Sequence, residues 1–336
     1  WPESFRARGH ARGDRTFNDI PTSDDPAAAA IVERDLAREA SDPFLGATER
    51  HIAEDATRAA DAEAFAAERA LTEARIDPAD VDLVISYSIV PDRVAPTAPV
   101  VARSIGAHRA HAFGVDTACA STVTQLEIAK AYVTSGLAKV ALLVQSHLLL
   151  RAMPLEHPAT PGLGDGATAM VVTRGPGLTI RGTFCHTLGE FADAVLWIRG
   201  VTDEEDPSWW QPGGAYRIGS KRPELVKALM RDTVSFGAQT LREAAAAANT
   251  DLERLTALAS VQPRGFIPGA IAEHLGLPRE RAVTTYSHIA HVGACGPVFN
   301  LQRAREEGRL EKGSLSALYA QGAGFTRAAA ILEATS

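Results

Sequence analysis

Three cysteines in 336 residues, Cys119, Cys185 and Cys295, are too few and too scattered to staple a fold or to hold a structural zinc. A basic excess is also missing. The 34 Lys and Arg against 41 Asp and Glu leave a formal charge of −7, with an isoelectric point near 5.8. That argues against the basic face which nucleic acid or an anionic membrane surface would require. No apolar run approaches the roughly 20 residues of a membrane span. Trp1-Pro2-Glu3-Ser4-Phe5-Arg6 carries no apolar signal-peptide core, so the expected location is cytoplasmic. What the chain does have is 46% hydrophobic residues, enough for one large core or two joined ones.

The most informative residue is Cys119, in Gly114-Val115-Asp116-Thr117-Ala118-Cys119-Ala120-Ser121. Ala110–Val115 reads as a strand leading up to it. Beyond it, Val123, Leu126, Ile128, Ala131 and Tyr132 fall near helical spacing over Thr122–Val133. Such a cysteine has its sulfur near the first turn of a helix, where unpaired N–H groups and the helix dipole favour a thiolate. Ala118, Ala120 and Ser121 form a small-residue collar with room for an acyl group. A buried cysteine packed as a small hydrophobe fits the same local context equally well.

Along the chain, helical patterns over Ala27–Ala40 and Ala53–Ala74 precede a strand at Val81–Ser88. Further strands are expected at Lys139–Ser146 and Ala167–Val172, the latter behind the glycine turn Gly162-Leu163-Gly164-Asp165-Gly166. Their apolar density implies burial on both faces, as in parallel sheets. Thr173–Gly177 reads as a linker, dividing the chain into halves at 1–174 and 175–336. The second half repeats the alternation. Strands are expected at Leu178–Cys185, Leu255–Val261, Leu315–Ala320 and Ala328–Leu332, and helices at Glu224–Ala248, Ile267–Leu275 and Gly293–Glu307. This is the pattern of an α/β protein with helix-covered sheets. Gly189–Ser220, with Trp197, Trp209, Trp210 and Pro212-Gly213-Gly214, fits no element and reads as a long loop, either functional or a plain insertion.

Four motifs in order carry a resemblance over nearly all of the chain beyond residue 45: Asp116-Thr117-Ala118-Cys119-Ala120, Gly164-Asp165-Gly166-Ala167, Gly308-Arg309-Leu310-Glu311-Lys312-Gly313 and Gly322-Ala323-Gly324-Phe325-Thr326. Together they resemble the thiolase superfamily, in its ketoacyl-ACP synthase III branch. The resemblance implies a layered α-β-α-β-α fold of two similar halves, a homodimer, an acyl-CoA or acyl-carrier-protein donor, and neither metal nor cofactor. The family's first strand is not found ahead of Trp1-Pro2-Glu3, which implies that residues precede the numbered chain.

The departures from the family point to the chemistry. Condensing members pair the cysteine with a His and an Asn that stabilise the carbanion left by malonyl decarboxylation. Counting from Leu275-Gly276-Leu277-Pro278, the family His falls at Val261, beside Gln262, and the family Asn at or next to His291. One imidazole near a thiol suits acyl transfer to a hydroxyl, where a general base must take a proton. The pattern resembles the ketosynthase III-like acyltransferases of antibiotic and polyketide biosynthesis. Cys119 is then the nucleophile and His291 the base, with His288 in reserve on what would be the same helical face. The backbone N–H of Ala323 would join that of Cys119 in an oxyanion hole. Arg264 could clamp a carboxylated acyl group or sit on the surface. Some relatives support the His with an Asp that here is Gly296, so nothing in the sequence orients His291. Cys295, His111, His147, Asp116 and Asp165 read as structural. The reading is an acyltransferase that carries an acyl group through Cys119 to a hydroxyl or amine of a small-molecule acceptor, glycosylated or not. The alternatives are a condensing enzyme making a starter unit and a non-catalytic subunit of the same fold.

Overall fold

The computed structural model describes residues 17–199 and 216–336, apart from 43, 91, 154, 156 and 158. The doubly apolar segments build two sheets. In the first, β1 (Leu83–Ser88) lies between β2 (His111–Gly114) and β3 (Val140–His147), parallel to both, and β4 (Gly166–Thr173) runs antiparallel to β3. Every residue of β3 is buried, as expected of a strand covered on two faces. β5 (Leu178–Thr187) opens the second sheet. A separate antiparallel hairpin follows, β6 (Leu196–Arg199) with β7 (Tyr216–Gly219). The second sheet is completed by β8 (Leu255–Ser260), β9 (Ala282–Val283), β10 (Leu315–Gly322) and β11 (Thr326–Ala334), in the order β5-β11-β10-β8-β9. Read from the other edge, β9-β8-β10-β11 repeats β2-β1-β3-β4 in order and in strand direction. The fold is therefore two similar halves.

Eight helices among the described residues complete the layers: α1 (Pro26–Glu39), α2 (Ala59–Ala74), α3 (Ala98–Ile105), α4 (Ser121–Ser135), α5 (Pro223–Ala247), α6 (Ile267–His274), the single turn α7 (Tyr286–Ile289) and α8 (Gly296–Glu306). α2 and α3 cover the outer face of the first sheet, and α5 with α6 covers that of the second. α4 touches β3 and β4 on one side and β10 and β11 on the other, while α8 packs on β8, β10 and β4. These two helices form the middle layer, and the α-β-α-β-α architecture follows. Burial from both sides explains the composition of α4, where Ser121, Thr122 and Gln125 are as buried as Val123 and Ala129. Gly136 ends the helix in the left-handed conformation, its N–H returning to the Val133 carbonyl.

Several expectations shift. Gly189–Ser220 is not element-free, because the β6–β7 hairpin lies inside it. Its backbone pairing extends from Leu196↔Gly219 to Arg199↔Tyr216. Trp209, Trp210 and Pro212-Gly213-Gly214 lie outside the described residues. α3 was not anticipated. The helix expected from Gly293 begins at Gly296, behind a 3₁₀ turn over Gly293–Cys295. Among the described residues, no helix is long and apolar enough to cross a membrane.

β5 meets the end of α5 at Gly182, where an added Cβ would lie 2.5 Å from the Ala248 nitrogen and 2.8 Å from the Ala247 carbonyl carbon. Backbone atoms cannot swing aside. Gly182→Ala should therefore lower unfolding stability by about 1–3 kcal/mol in urea titration. An unchanged midpoint would mean that β5 and α5 are not held this closely.

Candidate active site

Cys119 sits in a 3₁₀ turn, Ala118–Ala120, wedged between β2 and α4. Local hydrogen bonds impose the turn. Asp116 Oδ1 accepts from the Ala118 N–H at 2.8 Å. Ser121 Oγ accepts from the Thr117 N–H at 2.9 Å and donates to the Ala118 carbonyl at 2.7 Å. Ala118 is held at φ +50°, a left-handed conformation unusual for a residue with a Cβ. The end of β10 presses on this turn. A Cβ on Gly322 would lie 2.1 Å from the Thr117 carbonyl oxygen and 2.9 Å from the Cys119 nitrogen. That contact explains the glycine, and it leaves Ala323 one residue beyond the cysteine turn.

A second turn faces the first. Val292 (φ −114°, ψ 36°) followed by Gly293 at φ +53° repeats Thr117 (φ −127°, ψ 36°) followed by Ala118. The Thr122 hydroxyl donates to the Ala294 carbonyl and ties the two turns together. His291, just ahead of this turn, puts its Nε2 3.6 Å from Cys119 Sγ. Its backbone is clamped on both sides by the glycine turn. The His291 N–H donates to the Gly162 carbonyl at 2.9 Å, and the Gly164 N–H donates to the His291 carbonyl at 3.0 Å. Gly164 must be glycine, because a Cβ there would meet the Ile289 carbonyl oxygen at 2.1 Å.

The residue before His291 is strained. Ala290 takes φ 57°, ψ −153°, a region nearly reserved for glycine and costing on the order of 1–3 kcal/mol. Gln262 holds it there, donating from Nε2 to the Ala290 carbonyl at 2.9 Å. The Gln262 carbonyl oxygen accepts from Asn300 Nδ2 and Thr284 Oγ1, each at 3.0 Å. Asn300 Nδ2 also donates to the Ser260 carbonyl, and its oxygen accepts from Thr285. Both amides are wholly buried. The Gln262 side chain thus bonds the peptide just ahead of His291.

Burial governs the electrostatics. Desolvation, with Asp116 adding to it, pushes the Cys119 thiol up to about 12. It lowers His291 to about 3, and the neighbouring His147 adds to that shift. The pair at rest is therefore a neutral thiol beside a neutral imidazole. The thiolate favoured by a helix start is not the resting form: α4 begins only at Ser121, and burial outweighs the local backbone donors. A neutral imidazole next to a thiol can accept its proton as negative charge moves onto an attacked carbonyl.

The remaining candidates separate clearly. His288 is no substitute for His291: its side chain is 68% exposed and faces Glu49 at 3.5 Å. Ala290 breaks the helix between the two histidines, so they share no helical face. Arg264 forms an ion pair with Glu39 at 2.8 Å. Cys295 is buried, its sulfur against the carbonyls of Gln145 and Gly166. Asp165 serves the backbone, accepting from the Ala53 and Leu150 N–H groups. Val261 is buried and offers no polar atom from its side chain. His147, read from the sequence as a packed histidine, is buried with its ring centroid 5.7 Å from that of His291. It ends β3, and no local motif marks it. Asn300 was missed as well.

Residues 113–189 match the 3-oxoacyl-[acyl-carrier-protein] synthase III family, and residues 245–334 match the family of its C-terminal region. The β-ketoacyl-[acyl-carrier-protein] synthase III of Rhodospirillum centenum is 31% identical over 318 residues, covering 91% of this chain and 95% of the relative. The chain belongs to the β-ketoacyl-ACP synthase III family. The enzyme of the same name from Bordetella petrii is 29% identical across 90% of this chain and 91% of its own length. In three dimensions, the 3-oxoacyl-[acyl-carrier-protein] synthase III of Aquifex aeolicus aligns with a TM-score of 0.74 at 28% identity, covering 86% of this chain and 88% of that one. A priming β-ketosynthase of the R1128 polyketide pathway shares the fold, with a TM-score of 0.75 at 24% identity over 85% and 84% of the two chains. These names denote condensing enzymes. They favour the alternative set out from the sequence over ester formation.

Gly322→Ala should displace the Cys119 turn and slow alkylation of that thiol at least tenfold, while the far-UV spectrum is retained. With a neutral resting pair, iodoacetamide should react with Cys119 at a rate that climbs through about pH 6 to 9 without a plateau. A plateau near neutrality would instead reveal a resting thiolate–imidazolium pair.

Proposed function

We propose that the chain is an acyltransferase working in two half-reactions through an acyl-Cys119 thioester. In the first, Cys119 Sγ attacks the carbonyl of a CoA or acyl-carrier-protein thioester, and its proton passes to His291 Nε2. The donor's carbon–sulfur bond breaks, and the departing thiolate takes that proton. In the second, His291 Nε2 accepts the proton of an acceptor hydroxyl as its oxygen attacks the acyl-cysteine. The Cys119 carbon–sulfur bond breaks, and the proton returns to sulfur. Backbone N–H groups of Cys119 and Ala323 are assigned to the oxyanion in both steps. The observation that carries this reading is the His291 Nε2–Cys119 Sγ contact of 3.6 Å, with only a valine where the resemblance puts the condensing His.

The second reading is carbon–carbon condensation, and the names of the relatives favour it. The two readings share the acyl-cysteine and part company at decarboxylation. A non-catalytic role is disfavoured by the nucleophile being present and in contact with an imidazole.

Incubation with an acyl-CoA should add one acyl group to the protein by intact mass. Cys119→Ala should abolish the adduct, whereas Cys185→Ala and Cys295→Ala should leave it. His291→Ala should slow transfer to an acceptor alcohol by about 10²–10⁴-fold. Malonyl-carrier protein should release no carbon dioxide, because the Val261 side chain donates no hydrogen bond to an enolate. Steady release coupled to a β-ketoacyl product would establish the condensing reading instead.

A homodimer is proposed from the family resemblance. The interface is assigned to the sheet edge beside the nucleophile-bearing half, and an obligate interface of this kind covers on the order of 2,000 Å² or more. The mass in solution should be that of a dimer at micromolar concentration, and a monomer would refute the assignment.

A further inference from the structure

The site leaves one question open: what orients His291, given that Gly296 provides no carboxylate. His291 Nδ1 is buried and makes no hydrogen bond of full geometry among the described residues, the Gln262 backbone beside the ring only partly offsetting the effect of burial. For Nε2 to accept the Cys119 proton, the neutral ring must carry its own hydrogen on Nδ1. A buried donor is thus aimed away from the thiol, toward the interior behind it.

His147 is the imidazole packed beside this ring. Its Nδ1 is 2.9 Å from the Gly164 carbonyl oxygen. A carbonyl only accepts, so Nδ1 carries the hydrogen and Nε2 presents a lone pair. The two rings are edge-on, at 63° with centroids 5.7 Å apart. Gly293 makes room for the arrangement. A Cβ there would lie 2.3 Å from His147 Cδ2 and 3.0 Å from its Nε2. In the matching turn ahead of α4, the same left-handed position is filled by Ala118. The missing methyl group at Gly293 is the space that the nitrogen-bearing edge of His147 occupies.

The other titratable groups around the pair are engaged elsewhere or have no charge to offer. Asp165 bonds the Ala53 and Leu150 N–H groups. Asp116 caps the Ala118 N–H. Glu63 of α2 accepts from Ser146 Oγ at 2.6 Å. Cys295 bonds two backbone carbonyls, and Tyr87 at the end of β1 is held neutral by burial.

We infer that His147 is the positioning residue of a Cys119–His291–His147 relay, its Nε2 accepting the Nδ1–H of His291 across one water as His291 takes the proton. The inference rests on the acyl-transfer reading of Cys119 and His291. In this relay the Gly164 carbonyl fixes the His147 tautomer, His147 fixes that of His291, and the Nε2 lone pair of His291 is kept toward sulfur. Burial lowers His147 to about 4, so it stays neutral and able to accept at neutral pH. The glycine turn then serves twice: its backbone clamps His291 directly, and its Gly164 carbonyl orients the residue behind it.

Two substitutions separate the relay from a packing role. In His147→Asn, the amide nitrogen stands where Nδ1 was and keeps the bond to Gly164, but nothing accepts at the Nε2 position. In His147→Gln, the amide oxygen can reach the Nε2 position and accept. The rate of Cys119 alkylation by iodoacetamide against pH is the readout, since it needs neither donor nor acceptor to be known. His147→Asn should slow alkylation at about pH 7 by tenfold or more and converge on the unmodified protein above about pH 10, where hydroxide replaces the base. His147→Gln should stay within about threefold throughout. An Asn variant with an unchanged profile, or equal losses in both variants, overturns the relay. So does a loss in the Gln variant alone. His291→Ala is the control that separates the two levels. If it slows alkylation while His147→Asn does not, only the relay falls. If His291→Ala also has no effect, the assignment of the base falls with it.

Discussion

The structure depends on the meeting of two turns, one at the head of each middle-layer helix. Each enters its helix through a left-handed residue, Ala118 at +50° and Gly293 at +53°. Each is preceded by a parallel-sheet half of the same strand order. The duplicated halves bring these helix starts together, and the Thr122 hydroxyl on the Ala294 carbonyl joins them. Cys119 and His291 lie on or just ahead of one turn or the other. The fold therefore supplies two equivalent positions for chemistry, and the sequence differentiates them. One receives a thiol. The other receives the imidazole from the residue two positions ahead of its left-handed glycine.

Keeping these turns in contact needs glycine at points of close approach. Gly322 lets β10 reach the Thr117 carbonyl, and Gly164 lets the Gly162–Gly166 turn reach the Ile289 carbonyl. At both positions a Cβ would be 2.1 Å from an oxygen. The same economy of space forces strain elsewhere. Ala290 adopts a conformation that a Cβ disfavours, and the Gln262–Asn300 network holds its carbonyl in place. Such a buried network is effective because every lost bond would leave an amide unsatisfied in a low-dielectric interior.

Much of this was legible in the sequence, and the exceptions have a common cause. The strands and most helices followed from apolar periodicity. Cys119 and the glycine motifs stood out because the local chain itself dictates a turn there. His291 could be reached only by counting from an anchor, since no pattern around it marks a base. His147, Asn300 and the role of Gln262 were not legible as site features, because each acts on a partner far away in the chain. His147 is a strand-end histidine until the second turn is folded against it. α3 escaped notice because eight residues give barely two helical turns of pattern. The β6–β7 hairpin was hidden by strands of only four residues each.

Burial sets the chemical character of the site. A thiol and an imidazole in water exchange a proton readily at neutral pH. Here desolvation moves the two groups apart, to about 12 and about 3, so charge separation is costly until something compensates it. In the proposed reaction a bound thioester would provide that compensation, its carbonyl taking up negative charge where backbone N–H groups can meet it. The resting pair is accordingly neutral, a protonated thiol beside an uncharged imidazole. The same desolvation makes a charged partner for His291 expensive and a neutral one acceptable. A second imidazole with its tautomer fixed by a backbone carbonyl is such a partner, whereas a buried carboxylate would require a permanent counter-charge.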